Sequence, residues 1–293
     1  MSTALQEHVG ADAGGRVRLG LIGDNIARSR SPDLHRLAGK LCGLDVSYDL
    51  FVPRAMGGDF DAIFDACRAG GVRGVNVTYP YKEAVVARAR PSSEDVRRIG
   101  SVNTVVFGEG DPAGYNTDHS GFLAAFQSSF GTMPPGRVAL VGAGGVGKAV
   151  AFGLATLGAR EIVVIDRDED KARGLAKAVA AFSQGAVSTT FAVDAHEAVR
   201  RADGIVNCTP LGMAGYPGSA VPLDGLGPQS WAFEAVYTPI NTPFKLAAEA
   251  AGLRVLSGYE LFFHQGIEAF RIFTGRTPDP DALRRLLTET ASN

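Results

Sequence analysis

Short apolar, β-branched runs alternate with stretches of helical periodicity from Val17 almost to the end of the chain. "VRLGLIG" has the pattern of a strand. "PDLHRLAGKLCG" then carries apolar residues at helical spacing, with Ser31 predicted as its N-cap ahead of Pro32. "VSYDLFV" predicts a second strand, "FDAIFDACRAGG" a helix ended by Gly70 and Gly71, and "VRGVNVT" a third strand. Pro80 is expected in the first turn of a following helix. This rhythm implies a parallel sheet with helices packed on it.

A second series begins after Pro134 and Pro135. "RVALVG", "EIVVID", "GIVNCT", "WAFEAV" and "RVL" read as strands, with helices at "AGGVGKAVAFGLATLG" and "EDKARGLAKAVAAF". The segment Tyr259 to Ser292 reads as wholly helical. The fold class is therefore α/β, and two lobes with a cleft between them are expected. Ligands in such open sheets gather at the carboxyl ends of the strands.

Composition narrows the function. The chain has 293 residues and a formal net charge of −2, so no polyanion-binding surface is implied and nucleic acid is excluded as an expected partner. No apolar run reaches the roughly 18 residues of a membrane span. Residues 1–16 lack the basic start and apolar core of a signal peptide and are expected to be a flexible tail. Cys42, Cys67 and Cys208 form neither a disulfide framework nor a zinc pattern, which suits a reducing cytoplasm. His35, His119 and His264 have no ligand spacing, so no metal is expected.

"VALVGAGGVGKAV" places Gly142, Gly144 and Gly147 as G-x-G-x-x-G between a strand and a helix. The first glycine permits the tight turn, the second lets a pyrophosphate approach, and the third lets the helix pack on the sheet. The whole turn, Gly142, Ala143, Gly144, Gly145, Val146 and Gly147, is the candidate phosphate cradle. Asp166 closes the next strand at the expected offset of about 20 residues. A carboxylate there accepts hydrogen bonds from an adenosine ribose and repels a 2′-phosphate, so NAD is favoured and NADP is secondary. Arg167 beside it is either a phosphate-binding residue or a solvated arginine paired with Asp168 or Asp170. Lys148 reads as a solvated helical lysine.

Polar clusters also follow the strands of the first series. "IARSRSPDLH" offers Ser29 and Ser31 either as helix-capping hydroxyls or as binders of a carboxylate. "NVTYPYK", "IGSVNTVVF" and "GYNTDHSGF" supply Thr78, Lys82, Asn103 and Asp118. Each has a structural reading, Asp118 as a helix N-cap among them, but together they describe a small polar pocket suited to a polyhydroxylated acid.

"SRSPDLH", "NVTYPYK", "SVNTV", "YNTD", "GAGGVGKA", "NCTPLGM", "VYTPINTP" and "GYELFFHQG", in that order, resemble the shikimate/quinate dehydrogenases from about Leu19 to the final helices. The resemblance implies a substrate-binding catalytic domain at residues 17–118 and 259–293, with the C-terminal helices returning to the first lobe, and a Rossmann NAD-binding domain at residues 119–258. It implies Lys82 as the catalytic lysine with Asp118 its partner, Ser29 and Ser31 on the substrate carboxylate, and Thr78, Asn103 and Gln265 on ring hydroxyls. Asn207, Thr209 and Met213 of "NCTPLGM" would run beside the nicotinamide half, with Tyr237 and Gly258 near the junction of substrate and nicotinamide. The NADP-using members carry Asn-Arg-Thr where this chain has Asp166, Arg167 and Asp168, a departure toward NAD. The implied reaction is hydride exchange between NAD and shikimate, or quinate, in a monomer or homodimer. An aminoshikimate-directed enzyme and a noncatalytic NAD-binding sensor are the alternatives.

Overall fold

The computed structural model describes residues 15–192 and 194–291, so the expectation for the tail at 1–16 lies almost wholly outside the described residues. The chain divides into two compact units, one running to Thr117 and resuming at Gln265, the other spanning Asp118–His264. Against the sequence-based bounds, Asp118 and residues 259–264 fall with the second unit. Both joins lie inside helices, where no composition change marks them.

In the first unit, β1 (Arg16–Ile22), α1 (Ser31–Leu41), β2 (Asp45–Phe51), α2 (Phe60–Ala69) and β3 (Gly74–Val77) follow the expected alternation, and β2, β1 and β3 are parallel. The all-parallel expectation fails beyond β3. β4 (Arg90–Pro91), α3 (Glu94–Ile99), β5 (Thr104–Val106) and β6 (Ala113–Tyr115) complete a mixed sheet of order β2-β1-β3-β5-β6-β4, with β5 antiparallel to β3 and β6 antiparallel to β5. Ser31 is the first residue of α1 rather than its cap, since Arg30 occupies the cap position without a side-chain bond. Pro80 precedes no α-helix. A turn closed by the Tyr81 amide on the Thr78 carbonyl leads instead to a 3₁₀ turn at Ala84–Ala87. Asp59 caps α2 through the Ala62 amide, and α2 buries Phe60, Ile63 and Phe64 against Val75, Val77 and Val105. On Gly74 a methyl group would sit 2.5 Å from the Phe273 ring, so only glycine lets β3 run beneath that side chain.

From Asp118 onward α4 (Thr117–Phe130) belongs to the second unit, and its Phe122, Phe126 and Phe130 recur at helical spacing and bury one face. Full burial of each such ring is worth about 2 kcal/mol. β7 (Arg137–Val141), α5 (Gly145–Thr156), β8 (Glu161–Ile165), α6 (Glu169–Phe182), β9 (Ser188–Ala192), α7 (Ala195–Arg200), β10 (Gly204–Asn207), β11 (Trp231–Glu234), α8 (Pro243–Ala250) and β12 (Arg254–Ser257) follow. All six strands are parallel in the order β12-β11-β10-β7-β8-β9, the doubly wound arrangement. Gly204 admits the Trp231 indole, which would lie 2.1 Å from a β-carbon there, and the indole N–H donates to the Pro135 carbonyl at 3.1 Å.

The C-terminal segment is not one helix. α9 (Gly258–Thr274) and α10 (Pro280–Ala291) are separated at Gly275, whose φ of 70° favours glycine, and by the prolines at 278 and 280.

Candidate active site

The glycine turn begins where β7 ends. Gly142 has a φ of 103°, a conformation that a side chain disfavours. On Gly147 a methyl group would lie 1.8 Å from the Gly142 carbonyl oxygen, so glycine there lets α5 start against the turn. Around Gly144, by contrast, nothing stands within 4 Å of an added methyl, and no side chain caps α5. Gly144, Gly145 and Val146 are half-exposed while Gly142, Ala143 and Gly147 are buried. Tight packing behind an open rim of helix-start amides is the shape a pyrophosphate requires.

Asp166 stands immediately after β8. One carboxylate oxygen accepts the Ala143 amide at 2.7 Å, and the other accepts the Asp168 amide at 3.0 Å. Each oxygen keeps a second lone pair for a ribose hydroxyl. Asp168 caps α6 through the Lys171 amide at 3.2 Å and is thereby committed. Arg167 is exposed, and among the described residues no carboxylate lies within ion-pair distance of it.

The loop after β10 carries the next group. Asn207 is fully buried: its Nδ2 donates to Glu234 at 2.9 Å, and its Oδ1 accepts the Thr209 amide at 3.1 Å and the Thr209 hydroxyl at 2.8 Å. It therefore shapes the loop from within, while Thr209 and Met213 are half-exposed. Tyr237 stacks on Phe262 with ring centroids 5.0 Å apart. Gly258 opens α9 where a β-carbon would meet the Ala235 carbonyl oxygen at 2.2 Å.

In the first unit, register places several predicted residues at one end of the sheet. β1 and β3 end side by side at Ile22 and Val77, so the loop carrying Ser29 and Ser31 and the turn carrying Thr78 leave neighbouring strands. The Ser29 hydroxyl accepts the Ser31 amide at 3.3 Å and donates to the Ser31 hydroxyl at 3.2 Å. Between them, the Arg30 guanidinium donates to the Leu287 carbonyl and, at 3.2 Å, to the Thr290 hydroxyl. The strand β5 runs the other way, so Asn103 just ahead of it reaches the same end.

Asn103 heads a buried chain of hydrogen bonds that sequence reading did not find. The Tyr48 hydroxyl donates to Asn76 Oδ1 at 2.8 Å, and Asn76 Nδ2 donates to Thr104 Oγ1 at 3.0 Å. Thr104 then donates to Asn103 Oδ1 at 3.2 Å, and Asn103 Nδ2 to Thr117 Oγ1 at 3.0 Å. Thr117 completes the chain to Gln265 Oε1 at 3.2 Å. The Asn103 amide is thus fixed in one orientation, and Gln265 is held with its oxygen inward. His35 stacks on Tyr48 at 4.6 Å. Burial pushes its pKa down to about 3, against a hydrogen-bonding contact with Asn76 that acts the other way. The signal in the sequence was polar residues set inside the apolar runs "VNV" and "VNTVV".

Lys82 is half-buried, and its carbonyl accepts the Val102 amide at 2.9 Å, which ties the lysine to the segment leading into Asn103. Asp118 is buried in the first turn of α4. The two fall in different units. Among the described residues no cluster of three or more His, Cys, Asp or Glu side chains forms a metal site, and no helix is long and apolar enough to cross a membrane.

Residues 21–105 match the shikimate dehydrogenase substrate binding domain, and residues 258–288 the shikimate 5′-dehydrogenase C-terminal domain. Residues 137–216 match the family described as NADP oxidoreductase coenzyme F420-dependent. The chain is 40% identical over 273 residues to the quinate/shikimate dehydrogenase (NAD(+)) of Corynebacterium efficiens, covering 92% of this chain and 96% of that one. This chain belongs to the shikimate/quinate dehydrogenase family. Its fold matches that of quinate dehydrogenase from Corynebacterium glutamicum in complex with NAD, with a TM-score of 0.83 and 37% identity over 94% of this chain and 99% of the other. The shikimate 5-dehydrogenase of Thermus thermophilus, in complex with NADP(H) and shikimate, matches with a TM-score of 0.79 and 32% identity over 93% and 99%. Family members thus differ in the nicotinamide they bind, which makes Asp166 and Arg167 the positions of interest here.

Proposed function

We propose that this chain is an NAD-dependent dehydrogenase that interconverts shikimate with 3-dehydroshikimate and quinate with 3-dehydroquinate. The observation that carries the reading is the glycine turn with Asp166 bound to it, in a chain that shares 40% of its residues with an NAD-dependent relative. Asp166 offers acceptors to ribose hydroxyls and repels a 2′-phosphate, so NADP is the secondary cofactor. The glycine turn and Asp166 would hold NAD, which would supply the hydride acceptor for the carbinol carbon and, in its reduced form, the hydride donor.

The rest is the work of side chains. Ser29 and Ser31 hold the substrate carboxylate. Thr78, Asn103 and Gln265 bind ring hydroxyls, the last two oriented by the buried chain through Thr117. Lys82 donates a proton to the oxygen of the reacting carbonyl as hydride reaches its carbon during reduction, and in oxidation its amine takes the hydroxyl proton back as hydride leaves. Asp118 accepts a hydrogen bond from a substrate hydroxyl. Such acid–base help is typically worth about 10²–10⁴-fold. A reducing compartment, the cytoplasm, suits the cysteines, which form no disulfide among the described residues.

Steady-state kinetics on both acids with both nicotinamides test the reading. NAD reduction with shikimate and quinate, and higher kcat/KM for NAD than for NADP, are expected. No nicotinamide reduction with either acid would overturn it.

A further inference from the structure

Glu234, the last residue of β11, has no solvent exposure, a rare setting for a carboxylate. No sequence motif gives it a task, and the chemistry above does not use it. In the sheet it lies beside Asn207, the last residue of β10, and Asn207 lies beside Val141, the last residue before the glycine turn.

Three donors from three segments converge on this carboxylate. Oε1 accepts Asn207 Nδ2 at 2.9 Å and the Val236 amide at 3.0 Å, and Oε2 accepts the Thr242 hydroxyl at 2.7 Å. Thr242 in turn caps α8 through the Lys245 amide at 3.1 Å. Asn207 passes the constraint on by holding both the amide and the hydroxyl of Thr209. That segment then walls the glycine turn: a methyl on Gly142 would lie 2.8 Å from the Cys208 carbonyl carbon and 3.0 Å from Thr209 Cγ2.

Dinucleotides lie across the carboxyl ends of the strands where strand order reverses, here between β7 and β10. Asp166 serves the β8 side of that crevice. The loop after Asn207 and the chain leading to Tyr237 serve the other. We propose that Glu234 is a positioning residue for the dinucleotide: from the interior it fixes the 207–211 turn against the glycine turn and the 236–237 segment beside it. It touches no ligand. It holds half of the cofactor site in shape before the cofactor arrives, which lowers the ordering cost of binding. The proposal rests on the NAD reading above.

Hydrogen–deuterium exchange on the cofactor-free protein, with calorimetric titration of NAD, tests it. In Glu234→Ala, with native secondary structure by circular dichroism, the amides of Thr209, Leu211 and Val236 are expected to exchange at least about tenfold faster, and NAD to bind about tenfold more weakly, because buried donors lose their acceptor. Glu234→Gln keeps an oxygen for Asn207 and Val236 and turns its amide toward Thr242, so it is expected to restore NAD affinity to within about threefold of wild type. KM for shikimate stays unchanged in both variants while KM for NAD rises in the alanine variant. If Glu234→Ala does not fold, Glu234→Asp is read the same way, because one methylene fewer prevents the carboxylate from spanning its three donors. A folded variant that exchanges these amides and binds NAD like wild type would overturn the proposal. If wild-type protein takes up no NAD, the cofactor reading fails, and the exchange measurement alone decides the role of Glu234.

Discussion

The Asp166 carboxylate accepts the Ala143 amide at 2.7 Å and so ties the end of β8 to the glycine turn. On the proposed reading, one side chain both discriminates between nicotinamides and shapes the glycine turn. Asp166→Ala is expected to raise KM for NAD by about tenfold or more, since it removes a charged acceptor, and to narrow the preference over NADP. Asp166→Asn keeps an acceptor for Ala143 but loses the charge, so it should relax discrimination with less damage to NAD binding. Kinetics with both cofactors read the difference, and an unchanged preference in the alanine variant would remove Asp166 from the specificity argument.

Lys82→Ala is expected to lower kcat by about 10²–10⁴-fold and to leave KM for shikimate within a few-fold of wild type. Raised KM with a normal kcat would make the lysine a binding group instead.

Thr117→Val breaks the buried chain between Asn103 and Gln265 and leaves donors and acceptors unmatched, at a cost of about 1–3 kcal/mol. The melting temperature should fall by several degrees, and KM for shikimate should rise with little change in KM for NAD. Equal KM values for both acids before and after the change would show that the chain does not orient Asn103.

Two buried groups predict opposite pH dependences. Glu234 has its pKa pushed up to about 7, chiefly by burial and against the hydrogen bonds from Thr242, Val236 and Asn207. The stability it contributes is present below its usual value of 4.5 and is lost as pH rises through about 7. His35 has its pKa lowered to about 3, so its contribution is present above 6.5 and is lost as pH falls through about 3. Denaturant midpoints across this range should show Glu234→Gln removing the loss on the alkaline side. His35→Phe, which keeps a ring against Tyr48, should remove the loss on the acid side. Each proton contributes a slope of up to about 1.4 kcal/mol per pH unit.

The glycine turn was legible because its constraint is steric: Gly142 and Gly147 are required by backbone geometry, and only their residue type can report it. Motif order picked out the segments that carry Lys82, Asp118 and Asn103, and the structure sets Lys82 and Asn103 in the first unit and Asp118 in the second. The antiparallel half of the first sheet was not legible, because β5 and β6 have three residues each and so carry no periodicity. The second sheet hid β9, whose mostly open surface shows no apolar alternation. Ser31 was misplaced by one position because Ser29 supplies the hydroxyl that its amide uses. Glu234 escaped notice inside "WAFEAV", where an acid in an apolar run was the available signal. The break after α9 was announced by Gly275, Pro278 and Pro280.

Arg30 sits between Ser29 and Ser31, yet its guanidinium grips the Leu287 carbonyl and the Thr290 hydroxyl. The last turn of α10 therefore braces the loop that carries Ser29 and Ser31. Unwinding that turn would loosen the proposed carboxylate grip while leaving both serines unaltered.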